Sequence, residues 1–278
     1  EARELARQWA QRALELDPDN DEALAALAVV YRESDLDLLG ARDLLVRALA
    51  INPNSVAANN FLGDDYARTG NLPAALEYES RAVELDPLGA VHLSDLAQVY
   101  LLMDDPDTAI DYAWRSVELV PDFQNGLQVL MDSYYLLGDL EGLRQVERVA
   151  RNSKGMTRSR LLGLQQLLAL AEGDQERAAA LWSELAELEA QGEISAAGPA
   201  FIAALRGDYD LSGQYLLKAH ATGDGTWTFP IYVRLPEQAP DSESWQEFWA
   251  LPGPARLAEF RRTNGLPPNY YGFGSAER

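Results

Sequence analysis

A single period organises this sequence. The phrases Ala-Leu-Glu-Leu-Asp-Pro, Ala-Leu-Ala-Ile-Asn-Pro, Ala-Val-Glu-Leu-Asp-Pro and Ser-Val-Glu-Leu-Val-Pro end at Pro18, Pro53, Pro87 and Pro121, so consecutive prolines lie 35, 34 and 34 residues apart. A second mark runs between them and beyond them. Turns at Gly70-Asn71, Asp104-Asp105, Gly138-Asp139, Gly173-Asp174 and Gly207-Asp208 are spaced 34, 34, 35 and 34 residues. A period of this length belongs to arrays of small stacked units, none of which can bury its apolar face alone. On both sides of each turn apolar residues recur at helical spacing, which predicts two helices per unit, here A and B. The proline after helix B stops it, because a proline inside a helix loses a hydrogen bond and clashes with the preceding turn.

The residues inside the period sharpen the picture. One unit reads Leu24, Leu27, Ala28, Tyr31, Ala41, Leu45, Ala48, Pro53; the next reads Leu62, Gly63, Tyr66, Ala75, Ala82, Pro87. A third reads Leu93, Leu96, Ala97, Tyr100, Ala109, Ala113, Ser116, Pro121, and a fourth keeps Leu127, Leu130, Met131, Tyr134 and Ala150. This pattern resembles the tetratricopeptide repeat (TPR) family. It departs from the family at Asn59, where a large apolar residue is usual, and at Glu79, where an aromatic is usual. The resemblance implies an all-α fold, a right-handed α-α superhelix, with small residues such as Gly63 letting helix A approach its own helix B. Weaker copies follow, one keeping Leu162, Ala178, Trp182 and Leu185, the other Ala200, Ala203, Leu216 and Ala219.

Four regions are expected. Residues 1–20 hold only a helix B, the second half of a truncated first repeat, which reads as a piece of a longer protein. Residues 21–155 hold four repeats, 156–221 two degenerate ones, and 222–278 an irregular, non-repeat C-terminal cap rich in Trp and Pro. In the last region Ser242 or Ser244 can cap a short helix over Trp245 to Trp249, and Pro254 can open another that ends at Gly265. Such a segment shields the last apolar face of an array; a ligand-binding appendage is the other reading. Disorder is expected from Tyr271 onward. Trp245 to Trp249, Phe260-Arg261-Arg262 and Gly265-Leu266-Pro267 also look similar to tails of bacterial TPR regions fused behind transcription-regulator or nucleotide-cyclase domains. A regulatory or sensor region of a larger, membrane-anchored or soluble bacterial protein is therefore the alternative reading of function.

Composition narrows the chemistry. With 23 Lys+Arg against 44 Asp+Glu the net charge is −21, which disfavours nucleic acid and anionic membranes as partners. There is no cysteine, hence no disulfide and no thiolate site. The longest apolar stretch, Ala23 to Tyr31, is about half a membrane span, so no membrane insertion is expected. No phosphate loop, zinc-binding helix or nucleophile elbow occurs. Asp17-Pro18-Asp19-Asn20-Asp21 opens like a calcium loop but has Glu22 and Ala28 where glycine and glutamate belong, and reads as an inter-repeat turn. His92 and His220, the two histidines, have no catalytic partners in sequence and read as structural. Neither enzymatic activity nor a metal or other cofactor is expected. The compartment is left open between cytoplasm and periplasm.

Function in such arrays resides on the concave face lined by helix A. The TPR resemblance puts Asn60, Asp64 and Arg68 there, then Ser94, Gln98 and the adjacent Asp95, then Asn125, Gln128, Asp132 and Tyr135. Amides present a donor and an acceptor together and can hold the main chain of an extended peptide. Asp64, Asp95 and Asp132 favour Lys or Arg on the ligand. The expected partner is a protein or peptide, neutral or basic in the bound segment, and the chain reads as a non-catalytic protein-protein interaction scaffold. Docking of the groove on another part of the same protein, or an empty groove, are its competitors. A basic cluster of Arg144, Arg148, Arg151, Lys154, Arg158 and Arg160 is either a solvated face or a docking patch for an acidic partner. The open first helix at Trp9 raises homodimerisation as a further expectation.

Overall fold

The computed structural model describes residues 2–34, 37–222 and 242–263, and these form fifteen helices and no strand. α1 (Ala2–Leu16) comes first. Helix pairs follow: α2 (Asp21–Ser34) with α3 (Leu38–Ile51), α4 (Val56–Thr69) with α5 (Leu72–Leu85), α6 (Ala90–Leu102) with α7 (Pro106–Leu119), and α8 (Gln124–Leu137) with α9 (Leu140–Asn152). Two further pairs are α10 (Arg158–Glu172) with α11 (Gln175–Ala190), and α12 (Ala197–Leu205) with α13 (Tyr209–Ala221); α14 (Glu243–Ala250) and α15 (Pro252–Thr263) close the series. Trp227, Phe229, Gly265 and everything from Tyr270 onward lie outside the described residues.

Both sequence marks have a physical reading. The glycine of the central turn takes the left-handed conformation that ends helix A, with φ of 87° at Gly70, 68° at Gly138, 71° at Gly173 and 79° at Gly207. The next residue caps helix B. Asn71, Asp105, Asp139, Asp174 and Asp208 each accept a hydrogen bond from a backbone N–H in the first turn of α5, α7, α9, α11 and α13. At the far end of helix B the residue before proline is forced toward extended backbone, at φ −131° for Asn52 and −134° for Asp86 and Val120, and the helix stops there.

Pairs stack through two kinds of contact. Each helix A packs on its own helix B and on the preceding one, and α2, α4, α6, α8, α10 and α12 also touch in series. Successive B helices meet sparsely or not at all. The row of A helices is thus the tighter one and forms the inner, concave side. Between the layers runs a chain of apolar clusters. The largest joins Ala97, Leu101, Ala113, Leu127, Leu130, Met131, Leu143, Val146 and Leu167, crossing from α6 to α10. Each buried leucine in it contributes about 1.5–3 kcal/mol. Tyr66 stacks on Tyr78 with centroids 5.6 Å apart, and Tyr100 on Tyr112 at 5.5 Å. These tyrosines therefore bind helix A to its own helix B, while Tyr134 receives a hydrogen bond from the indole N–H of Trp114 in the preceding pair at 3.0 Å.

The end of the array is built as a further helix A. α14 packs on α13, and Trp245 and Phe248 are fully buried with Ala200 and Leu216. Ser242 caps α14 by accepting from the Trp245 N–H, and the Ser244 hydroxyl donates to Asp210 Oδ1 at 2.8 Å. Gly213 permits the approach, since a Cβ there would stand 2.7 Å from Ser244 Cβ. The last helix begins at Pro252, two residues ahead of the Pro254 start expected from sequence.

Candidate functional site

The concave row carries its polar side chains at α4, α6 and α8. On α4, Asn60, Asp64 and Arg68 follow at intervals of four and so share a face. The Asn60 side-chain amide donates to Glu79 Oε2 on α5 and to Asp95 Oδ2 on α6, both at 2.9 Å. Asp64 accepts from Arg32 of α2 at 2.7 Å and from Arg68 Nε at 3.0 Å. Burial alone would raise the Asp64 carboxyl, but the two guanidinium groups outweigh it and hold it below the usual carboxylate range. Arg68, only 2% exposed, is locked into the floor. On α6 the Ser94 hydroxyl donates to Val91 O at 2.8 Å and lies 3.4 Å from Asp95 Oδ1. Burial, with Asp64 nearby, pushes Asp95 up to about 6. Asn60 with Ser94 and Asp95, and Asp64 with Arg32 and Arg68, thus form two adjoining polar groups drawn from three repeats.

A second polar group lies on α8. The Gln128 amide donates to Asp132 Oδ1 at 2.9 Å. Asp132 Oδ2 is buried without a hydrogen-bond partner, and burial pushes this carboxyl up to about 8. Tyr135, three residues on along α8, is half-buried, with its phenol raised by burial. Asn125 sits exposed at the start of the helix and accepts from Arg160 at 3.4 Å. Gln98 on α6 is half-buried. Among the described residues no cluster of three His, Asp or Glu side chains is arranged to hold a metal ion.

No protein-family model and no curated protein matches this sequence. Solved structures do resemble it. A tetratricopeptide repeat protein from Parabacteroides merdae aligns over 92% of this chain and 94% of its own, with a TM-score of 0.52 and 17% identity. PilF of Pseudomonas aeruginosa aligns over 69% of this chain and 90% of its own, with a TM-score of 0.55 and 25% identity. PilW, a widely conserved type IV pilus biogenesis factor, covers 69% of this chain and 87% of its own at a TM-score of 0.58 and 22% identity. The fold of this chain is that of a TPR solenoid.

Two departures from the TPR pattern acquire a role in this frame. Glu79 stands where the pattern has an aromatic ring, and its side chain lies flat against Gly63, where a Cβ would meet Glu79 Cγ at 2.7 Å. Fully buried, it reaches from the B layer to Asn60 at the back of the groove. Burial, with Asp95 beside it, raises its carboxyl well above the usual range. Asn59, also buried, turns its amide to the carbonyls of Pro53 and Ser55 and so fastens the inter-repeat turn. Four ionic residues of the floor are absent from the set read from sequence: Arg32, Arg42, Asp65 and Glu79. Arg42 donates to Asp65 at 2.6 Å and to Thr69 at 3.0 Å, and lies over the Tyr66 ring at 4.6 Å from its centroid. The TPR positions that face the groove do not include these four: Arg32 reaches over from α2, Arg42 and Glu79 come from α3 and α5, and Asp65 stands on α4 itself, turned to Arg42.

The basic cluster is largely paired within the chain. Arg144 binds Glu172 at 3.0 Å, Arg148 binds Glu141 at 3.1 Å, Arg151 binds Glu147, and Arg158 binds Glu184. Arg148 and Lys154 border an open cleft of about 580 Å³ with Pro121 and Val149. No helix among the described residues is long and apolar enough to cross a membrane.

Proposed function

We propose that this TPR solenoid is a protein-protein interaction scaffold that binds an extended, neutral or basic segment along its A-helix face. The observation that supports it is the polar floor itself. Buried Asn60, Ser94 and Asp132 and half-buried Asp95, Gln98 and Gln128 occupy a concave surface where apolar packing would be cheaper. Amides that bridge helices keep donor and acceptor capacity oriented, so a peptide main chain meets groups that have lost little freedom. The acidic side chains differ in availability. Asp64 is neutralised by Arg32 and Arg68, whereas among the described residues no ion pair joins a cationic side chain to Asp95 or Asp132. A ligand lysine or arginine is therefore assigned to Asp95 and Asp132 rather than to Asp64. The basic cluster, four of whose six members are paired with glutamates, has no part in this reading.

The test is an array of twelve-residue peptides varied in charge, followed by calorimetry on the selected sequences. Selection of neutral or basic peptides, with affinity lost in a Gln98→Arg, Asp95→Lys variant of unchanged helicity, is the expected result. Selection of acidic peptides, or equal affinity in the variant, would move binding off this face.

A further inference from the structure

The Asn60 amide holds two acids on one nitrogen, and one of them has no access to water. Glu79 is fully buried, accepts from Asn60 through Oε2, and keeps Oε1 without a hydrogen-bond partner against Gly63. Asp95 accepts from the same nitrogen through Oδ2, at the same 2.9 Å, from the groove side. Two carboxylates so joined repel each other, and the buried one also lacks the solvation a charge needs. The surroundings do not relieve both. Arg32 from α2 and Arg68 from α4 are shared with Asp64, which they already neutralise, and Arg42 from α3 is directed to Asp65 and Thr69. From α6 the neighbour of Asp95 is the neutral Ser94 hydroxyl.

Building on the groove reading above, we propose that cation binding at this site is proton-linked: Glu79 and Asp95, joined through Asn60, keep at least one proton, and a lysine or arginine side chain seated at Asp95 displaces a proton to solvent. The direction of both carboxyl shifts agrees with this, burial being the largest cause for each. Asn60 is the positioning residue. It fixes the distance between the acids and keeps Asp95 turned to a place where a cation from the groove and a proton compete for the same charge. In effect the site reads pH. At low pH the floor offers neutral acid groups, and as pH rises Asp95 becomes an anion on the concave face.

The experiment uses the whole chain and an acetylated, amidated Gly-Arg-Gly-Arg-Gly-Arg peptide, with affinities measured from pH 5 to pH 8. Proton release is read from binding heats in buffers of different ionisation enthalpy. Affinity should rise about tenfold across the range, as expected for one competing proton on a group that titrates near 6. Asp95→Asn should remove both the cation preference and the pH dependence. Glu79→Gln should keep binding but move its pH dependence to lower pH. Saturable binding that is sensitive to Asp95→Asn yet flat with pH would overturn the proton linkage and leave the groove reading intact. Absence of binding at every pH would overturn both for this cation. A second readout needs no ligand: the side-chain carboxyl ¹³C shifts of Glu79 and Asp95 in the free chain. Independent titration of both near ordinary carboxylate values would overturn the shared-proton arrangement.

Discussion

Asp104 shows how much a single backbone angle matters in a repeat. It stands at the turn position that Gly70, Gly138, Gly173 and Gly207 occupy, and takes the same left-handed conformation, at φ 64°. For a residue with a Cβ that conformation costs about 1–2 kcal/mol, of which a glycine substitution gives part back to unfolded-state entropy. Asp104→Gly should therefore stabilise the chain by about 0.5–1 kcal/mol, read from the midpoint of urea unfolding. Asp132 gives a prediction with a pH sign. Its carboxyl is pushed up to about 8 in the folded chain, against 3.8 ordinarily. Between those values the folded state binds a proton that the unfolded state has released, so stability is fully present below about pH 4 and declines as pH rises toward 8. The slope approaches about 1.4 kcal/mol per pH unit for one proton. Asp132→Asn should leave stability near its wild-type value at pH 4 and raise it at pH 8. Parallel pH profiles of the two proteins would show that Asp132 titrates alike in the folded and unfolded chain.

At the scale of the helix, the repeat provides its own controls. Trp9 on α1, Tyr78 on α5 and Tyr112 on α7 occupy equivalent places, each nine residues before the closing proline. Tyr78 and Tyr112 stack on Tyr66 and Tyr100 of their own helix A, whereas Trp9 is 72% exposed. Tyr112→Ala should cost about 2–3 kcal/mol through lost burial and stacking, and Trp9→Ala less than about 0.5 kcal/mol. Comparable losses at both positions would mean that Trp9 is covered in solution. Helix pairing was legible from sequence because each turn position needs one residue type: glycine for positive φ, Asp or Asn for the cap, proline to stop the helix. The groove was half legible. The TPR resemblance leads to Asn60, Asp64 and Arg68 and, next to a groove position, Asp95, but the partners Arg32 and Glu79 depend on where long side chains from other helices end, which no spacing rule contains. Glu79 was visible as a break in the pattern; its contact with Gly63 and Asn60 belongs to the packing alone.

Across the whole molecule, stability is a sum of units and their interfaces, because each pair touches its neighbours and little else. The two ends should then respond locally. Phe248, fully buried on the last pair with Leu216 and Ala200, is the residue through which α14 covers that pair. Phe248→Ala removes about 3–5 kcal/mol of packing, and in a solenoid the loss need not travel. Hydrogen exchange should accelerate in α12, α13 and α14 first, with the effect weakening through α10 and α11, and change little in α4 to α8, where the groove floor lies. Peptide binding at Asp95 should survive the substitution. Uniform acceleration along the chain would instead mean that the array unfolds as one cooperative unit, with α14 setting the stability of a groove several repeats away.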